Sequence, residues 1–175
     1  MKILLIRFSS IGDIILTSPV ARCIKQQLPG AEVHFLTKAI FRDLVSHSPY
    51  IDKLHTIDDE LSEVIPALKR ENLDLIVDLH HNLRTARVKR ALGVPSKSFP
   101  KLNWEKWLMV NFKRDRLPHQ HIVDRYLSTV EHLGVKNDGQ GLDLFIPPQN
   151  EVALESLPEA HRSGYIALCI GGGHA

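Results

Sequence analysis

Cysteine is scarce in this chain: Cys23 and Cys169 are the two in 175 residues. One falls in an early helical pattern and the other in a late apolar run. They read as separate buried thiols rather than a bridge, so the chain is not expected to be a disulfide-stapled fold. Long hydrophobic runs are missing too; none approaches the ~20 residues that span a bilayer. The first apolar run is soon interrupted by Arg7 and Asp13, so it reads as part of a folded, cytosolic chain and not as a secretory leader. Internal repeats and low-complexity tracts are absent. Neither Gly-x-Gly-x-x-Gly nor Gly-Lys-Ser/Thr occurs, which weakens the usual dinucleotide and P-loop readings. Without a Gly-x-Ser-x-Gly elbow, Ser9 and Ser10 read as turn and capping groups and not as nucleophiles.

What is present is organised around residues 2–19. Ile3, Leu4, Leu5 and Ile6 form a near-continuous apolar run, the pattern of a central parallel strand covered on both faces. Ser9 and Ser10 suit the cap of a following helix, and Gly12 suits a backbone geometry that other residues resist. Asp13 then falls in the first helical turn, at the carboxyl end of the first strand, where open α/β sheets bind ligands. The helix dipole alone favours an acidic residue there by about 0.3–1 kcal/mol. Position by itself therefore leaves a structural and a chemical role open.

Further along, Pro19 is expected to bend the first helix. A strand is predicted over residues 32–37, a short helix over 39–47 and a strand over 53–57. A helix beginning at Asp58 or Asp59 carries Leu61, Val64, Ile65 and Leu68 at helical spacing, with Pro66 opposing its regularity. Residues 73–79 read as a second buried strand, ending in the polar loop His80-His81-Asn82-Leu83-Arg84-Thr85 and a helix over 86–92. This repeats the strand–loop–helix unit and places the loop on the same sheet edge as Asp13. Residues 94–99 read as a strand, 104–113 and 121–133 as helices, and 142–146 as a strand. Residues 147–162 read as a joining segment with a short helix over 151–157. An apolar strand over 165–170 then runs into Gly171, Gly172, Gly173 and His174, a turn of the kind that approaches phosphates. The fold class is α/β, with a parallel sheet and helices on both faces.

Charge is unevenly placed. Residues 84–116 hold ten Lys and Arg against Glu105 and Asp115, interleaved with Trp104, Trp107, Leu108, Val110 and Phe112. Such a run is a solvated face or a docking surface for something anionic. Its amphipathic part suits a membrane surface, and no nucleic-acid motif accompanies it. His80-His81 and the pair His119 and His121 invite a metal reading. Neighbouring histidines on an extended strand point to opposite faces, however, and no Cys/His/acid spacing here matches a zinc site.

The run Arg7-Phe8-Ser9-Ser10-Ile11-Gly12-Asp13, with Pro19 six residues on, closely resembles the amino terminus of the bacterial heptosyltransferases, glycosyltransferase family nine. Asp78-Leu79-His80-His81-Asn82-Leu83-Arg84-Thr85 is similar to that family's loop after a later strand, and His121-Ile122-Val123-Asp124-Arg125-Tyr126 is similar as well. The resemblance implies a GT-B architecture, two Rossmann-like domains across a cleft, with acceptor bound by the amino-terminal one and nucleotide-sugar by the other. On that basis residues 1–147 are the Rossmann-like acceptor domain, 148–162 the linker and 163–175 the first strand of a truncated donor domain. The fragment alone is then expected to be inactive.

The implied reaction is inverting transfer of a heptose from ADP-heptose to the Kdo-bearing inner core of lipopolysaccharide. The implied acceptor is of Kdo–lipid A type, met peripherally at the cytoplasmic face of the inner membrane, with no nucleic acid and no metal or other cofactor. Asp13 takes the role of general base. Ser9, Ser10, Gly12, His80, His81, Asn82, Arg84 and Arg87 are expected to bind the acceptor. The rival reading is a non-catalytic α/β binding or regulatory module that docks an anionic partner or membrane surface.

Overall fold

The structure is a computed structural model that describes residues 1–58, 60–116, 118 and 120–168. Residues 1–145 form one compact unit and residues 146–175 a second, small one. The first unit is built on a five-stranded, all-parallel sheet of order β3-β2-β1-β4-β5. Its strands are β1 (Lys2–Ile6), β2 (Glu32–Lys38), β3 (Lys53–Ile57), β4 (Leu75–Asp78) and β5 (Ser96–Ser98). This is the Rossmann-like class expected from the sequence.

The apolar run of β1 is explained by its central position. Alternate residues of a strand point to opposite faces. Ile3 and Leu5 pack with Val33, Phe35, Leu75 and Val77 beneath α2 (Ser18–Gln27) and α6 (Ile122–Leu127). Leu4 and Ile6 pack with Leu36 and Ile76 beneath α3 (Leu61–Arg70) and α4 (Leu83–Leu92). All four β1 side chains are fully buried, each contributing about 1.5–3 kcal/mol.

Several elements depart from the sequence reading for identifiable reasons. Pro19 does not bend one helix; the chain makes two, α1 (Ile11–Ile15) and α2, and Pro19 stands in the first turn of the second, where no N–H is needed. Pro66 leaves α3 continuous. The bond it removes would have reached the carbonyl of Ser62, an exposed residue. That helix begins after Glu60; Asp59 lies outside the described residues. The predicted helix over 121–133 stops at Leu127 and resumes as a 3-10 turn at Glu131–Leu133. Between them the Ser128 and Thr129 hydroxyls donate to the carbonyls of Arg125 (2.9 Å) and Tyr126 (2.6 Å), a local competition with the helical ladder.

Residues 142–146 form no strand: the Asp143 N–H donates to Ser18 Oγ at 2.8 Å and its carboxylate turns to Arg22. Residues 39–44 form a 3-10 turn. α4 begins three residues earlier than expected and ends on Gly93, whose φ of 65° suits a residue without Cβ. α5 spans Asn103–Phe112 and buries none of its side chains. Cys23 is a buried free thiol. In the small unit two 3-10 turns (Pro148–Asn150 and Leu154–Ser156) precede a short α7 (Glu159–Arg162). The helix expected over 151–157 is therefore only a turn, and residues 165–168 carry no strand, having no neighbouring strand among the described residues to pair with. Cys169, the glycines 171–173 and His174 lie outside the described residues, as does His119.

Candidate active site

Sheet order fixes where the site forms. Strands β1 and β4 are adjacent, yet their outgoing connections lead to opposite sides of β1, first to β2 and later to β5. Such a switch point opens a crevice at the carboxyl ends of the strands. Ile6 and Asp78 are level in register, so the turn after β1 and the turn after β4 emerge side by side. The first carries Asp13, the second His80, His81 and Asn82.

Asp13 lies in the first turn of α1, its side chain 38% exposed. Its Oδ2 accepts from the Ser10 N–H (3.3 Å) and the Ser10 hydroxyl (3.1 Å), and pairs with Arg7 Nη2 at 2.5 Å. All described contacts of this carboxylate fall on Oδ2. Partial burial pushes the carboxyl pKa up, but the Ser10 N–H, the Arg7 charge and the Ser10 hydroxyl outweigh it and hold it below the usual range. Asp13 is thus ionised at neutral pH, with one oxygen anchored.

Arg7 is the residue that sequence reading passed over. It is buried and donates to the Ser9 carbonyl (2.6 Å), the Leu79 carbonyl (2.6 Å) and the Tyr126 hydroxyl (3.1 Å). One guanidinium therefore ties the end of β1, the end of β4 and α6 to Asp13. The available signal was a lone charge directly following an apolar strand.

The turn after β4 hangs on Asp78, which is fully buried. Its Oδ1 accepts from the N–H groups of His80 (3.1 Å) and His81 (2.6 Å), and its Oδ2 from Thr85 Oγ1 and Lys89 Nζ (both 2.8 Å). Burial raises its pKa; Lys89 and these donors more than reverse that. The two histidines diverge. His80 packs edge-on to Phe8, ring centroids 5.5 Å apart, and burial together with the charges of Arg7 and Lys101 lowers its pKa to about 4. It is a neutral imidazole that feels Asp13; its Nδ1 is buried without a hydrogen-bond partner among the described residues. His81 turns the other way, Nδ1–H donating to the Phe99 carbonyl at 2.9 Å, with backbone φ at 52°.

The other expected site residues have mixed placements. Ser10 precedes α1 as its cap, whereas Ser9 is not a cap and offers its carbonyl to Arg7. Gly12 does not adopt a special backbone geometry; it is an ordinary helical residue, and a Cβ there would meet nothing within 4 Å. That leaves open space beside Asp13. The Asn82 side chain caps α4, accepting from the Thr85 N–H at 2.9 Å. Arg84 lies over the Phe8 ring at 5.7 Å, linking it to the His80 side. Arg87, with Arg84, lines an open groove toward Glu60, Leu61, Ser62 and Ile65 at the start of α3.

The sheet order defines an α/β protein of the Rossmann-like class, with a partly exposed carboxylate at the carboxyl ends of its strands. No protein-family model matches the chain. In sequence it is similar to lipopolysaccharide heptosyltransferase 1 of Campylobacter coli, 28% identical over 73% of this chain and 40% of that protein. It is also similar to lipopolysaccharide heptosyltransferase 3 of Escherichia coli K12, 28% identical over 71% of this chain and 40% of that protein. Among solved structures, the family 9 glycosyl transferase of Veillonella parvula superposes with a TM-score of 0.65 at 22% identity, covering 85% of this chain and 45% of that one. The E. coli heptosyltransferase WaaC with ADP gives 0.63 at 19% identity, covering 82% and 50%. The chain thus resembles heptosyltransferases in sequence and in fold, and spans half or less of the length of each of these relatives.

Proposed function

We propose that this chain is the acceptor-binding, amino-terminal half of a GT-B glycosyltransferase of the ADP-heptose:lipopolysaccharide kind, with Asp13 as general base. The observation that carries the reading is the anchored, ionised and partly exposed Asp13 carboxylate at the switch point of the sheet. The resemblance to named heptosyltransferases supplies the substrate class.

In the proposed step an acceptor hydroxyl oxygen attacks the anomeric carbon of the heptose. Its proton passes to Asp13 as the new C–O bond forms. The bond from the anomeric carbon to the diphosphate oxygen breaks, ADP departs with the electron pair, and the configuration inverts. Arg7 holds Asp13 Oδ2, so the proton goes to Oδ1. His80, neutral, and Arg84, against Phe8, flank the acceptor path and orient an anionic core sugar. The reading takes the step as metal-independent.

No helix among the described residues is long and apolar enough to cross a membrane. A peripheral attachment is supported by α5, where Trp104, Val110 and Phe112 are 65%, 69% and 59% exposed and Trp104 stacks on Trp107 at 5.0 Å. Lys101, Lys106 and Lys113 accompany them. An exposed aromatic face with cationic flanks is the make-up of an interfacial helix on anionic lipid, here at the cytoplasmic face of the inner membrane.

The test is Asp13→Asn in the longest polypeptide the gene encodes, assayed with ADP-heptose and a Kdo–lipid A acceptor. The expected result is an unchanged fold and a loss of about 10²–10⁴ in turnover, with the anomeric configuration of the wild-type product inverted by NMR. Turnover within a few-fold of wild type removes Asp13 as the base.

A further inference from the structure

A second polar cluster lies near the amino-terminal edge of the sheet, opposite the edge that carries Asp13. His34 in β2 is fully buried and His55 in β3 nearly so. Their rings lie in nearly parallel planes, 15° apart, with centroids separated by 5.3 Å, and meet edge to edge, His34 Nδ1 lying 3.1 Å from His55 Nε2. The other nitrogen of His34, Nε2, lies 2.9 Å from Glu32 Oε1. An ionised carboxylate can only accept, so the His34 proton resides on Nε2 and its Nδ1 lone pair is directed at His55. A carboxylate on the far nitrogen is the arrangement that fixes the tautomer of a metal-ligating histidine. Glu71, immediately after α3, completes a set in which one ligand atom from each of His34, His55 and Glu71 lies within 4.8 Å of the others.

We infer that His34, His55 and Glu71 form a binding site for a zinc-like divalent cation, with Glu32 as the outer partner of His34, pinning β2, β3 and the end of α3 together. Two imidazoles and one carboxylate suit zinc better than magnesium or calcium, and leave a fourth position for water. The 3.1 Å nitrogen separation matches that of two nitrogens about 2.0–2.1 Å from one tetrahedral ion, once each ring swings so that its lone pair points at the ion and not at the other ring. Two further adjustments accompany loading. His55 moves its proton from Nε2 to Nδ1, which leaves its charge unchanged. Lys53, which pairs with Glu71 Oε2 at 2.7 Å and is 49% exposed, releases the carboxylate and returns its ammonium to water. The cluster is separate from the transfer step, so it stands or falls without Asp13.

The experiment is titration of the chelator-stripped chain with Zn²⁺ alone against a chromophoric chelator, with Co²⁺ as a spectroscopic substitute. One equivalent is expected to bind saturably, to give the intense visible absorption of four-coordinate Co²⁺, and to raise the melting temperature. Glu32→Gln, at a half-exposed side chain, is expected to weaken the affinity by about 10–100-fold while leaving the fold intact. His55→Gln should weaken it at least as much, and Lys53→Met should tighten it by releasing Glu71. Absence of saturable binding, or affinities equal to the parent's in Glu32→Gln and Lys53→Met, overturns the assignment even if His55→Gln does not fold.

Discussion

Arg7 Nη2 and Asp13 Oδ2 stand 2.5 Å apart at the carboxyl end of β1, one buried and the other partly open to solvent. The pair aims the carboxylate without sealing it. Arg7 reaches Asp13 while also bonding the Ser9 and Leu79 carbonyls and the Tyr126 hydroxyl, so its position is set by the core and not by Asp13. That separates this pair from a surface ion pair.

Arg7→Gln therefore has a pH signature. Arg7 is among the groups that hold the Asp13 pKa below its ordinary value, and removing the cation raises it. Asp13 accepts a proton only when ionised, above that pKa, so the acid limb of kcat/KM against pH is expected to move to higher pH. An unmoved acid limb with a reduced kcat would assign Arg7 a purely geometric role.

Gly12 separates folding from function. A Cβ there meets nothing within 4 Å, and Gly12→Ala exchanges a poor helix residue for the best, a difference of up to about 1 kcal/mol. The melting temperature should hold or rise. Gly12→Leu places a branched side chain in the space beside Asp13 and should lower kcat/KM with the fold intact. Full activity in the leucine variant would show that the acceptor does not approach over Gly12.

Arg22 is a buried cation on α2. It pairs with Asp138 at 2.7 Å and with Asp143, and donates to the Gly141 carbonyl at 2.9 Å. The Arg22 hydrogen bonds hold the Asp138 carboxyl well below the usual carboxylate range, against the effect of desolvation. Arg22→Met fills similar space but leaves two carboxylates without their cation, and should cost about 3 kcal/mol in denaturant unfolding. The folded Asp138 pKa is depressed, so the wild-type advantage is present above the unfolded aspartate value and is lost as pH falls toward the folded one. The difference between wild type and variant should shrink on acidification.

The α5 face is tested at a membrane. Replacing Trp104 and Trp107 by alanine removes a stacked, exposed pair on a helix that buries nothing. Sedimentation with anionic vesicles should fall by about tenfold or more, since each aromatic seated at the interface contributes on the order of 1 kcal/mol. Melting should be unchanged, and salt should weaken wild-type binding through the lysines. Equal sedimentation of the double variant would return α5 to a solvated face.

Local pattern made much of this protein legible in advance. The unbroken apolar run of residues 3–6 required a strand covered on both faces, and the repeat of strand, polar turn and helix after residue 79 required a parallel neighbour. Together these placed Asp13 and His80 on one edge. Patterns of short period misled where a side chain competes locally, as at Ser128 and Thr129, or where a distant partner intervenes, as with Asp143 drawn to Arg22.

What the sequence determined by itself was the fold class and the position of Asp13 along it, because burial periodicity and helix starts are local properties. Only the tertiary structure decided which groups meet. It set His80 against Phe8 and turned His81 to the Phe99 carbonyl, gave Asp13 its Arg7 partner, brought Asp138 to Arg22 across 116 residues, and set His34 beside His55. Those choices follow from how strands and helices pack at close quarters, and a polar side chain's partner is fixed by that packing, not by its neighbours along the chain.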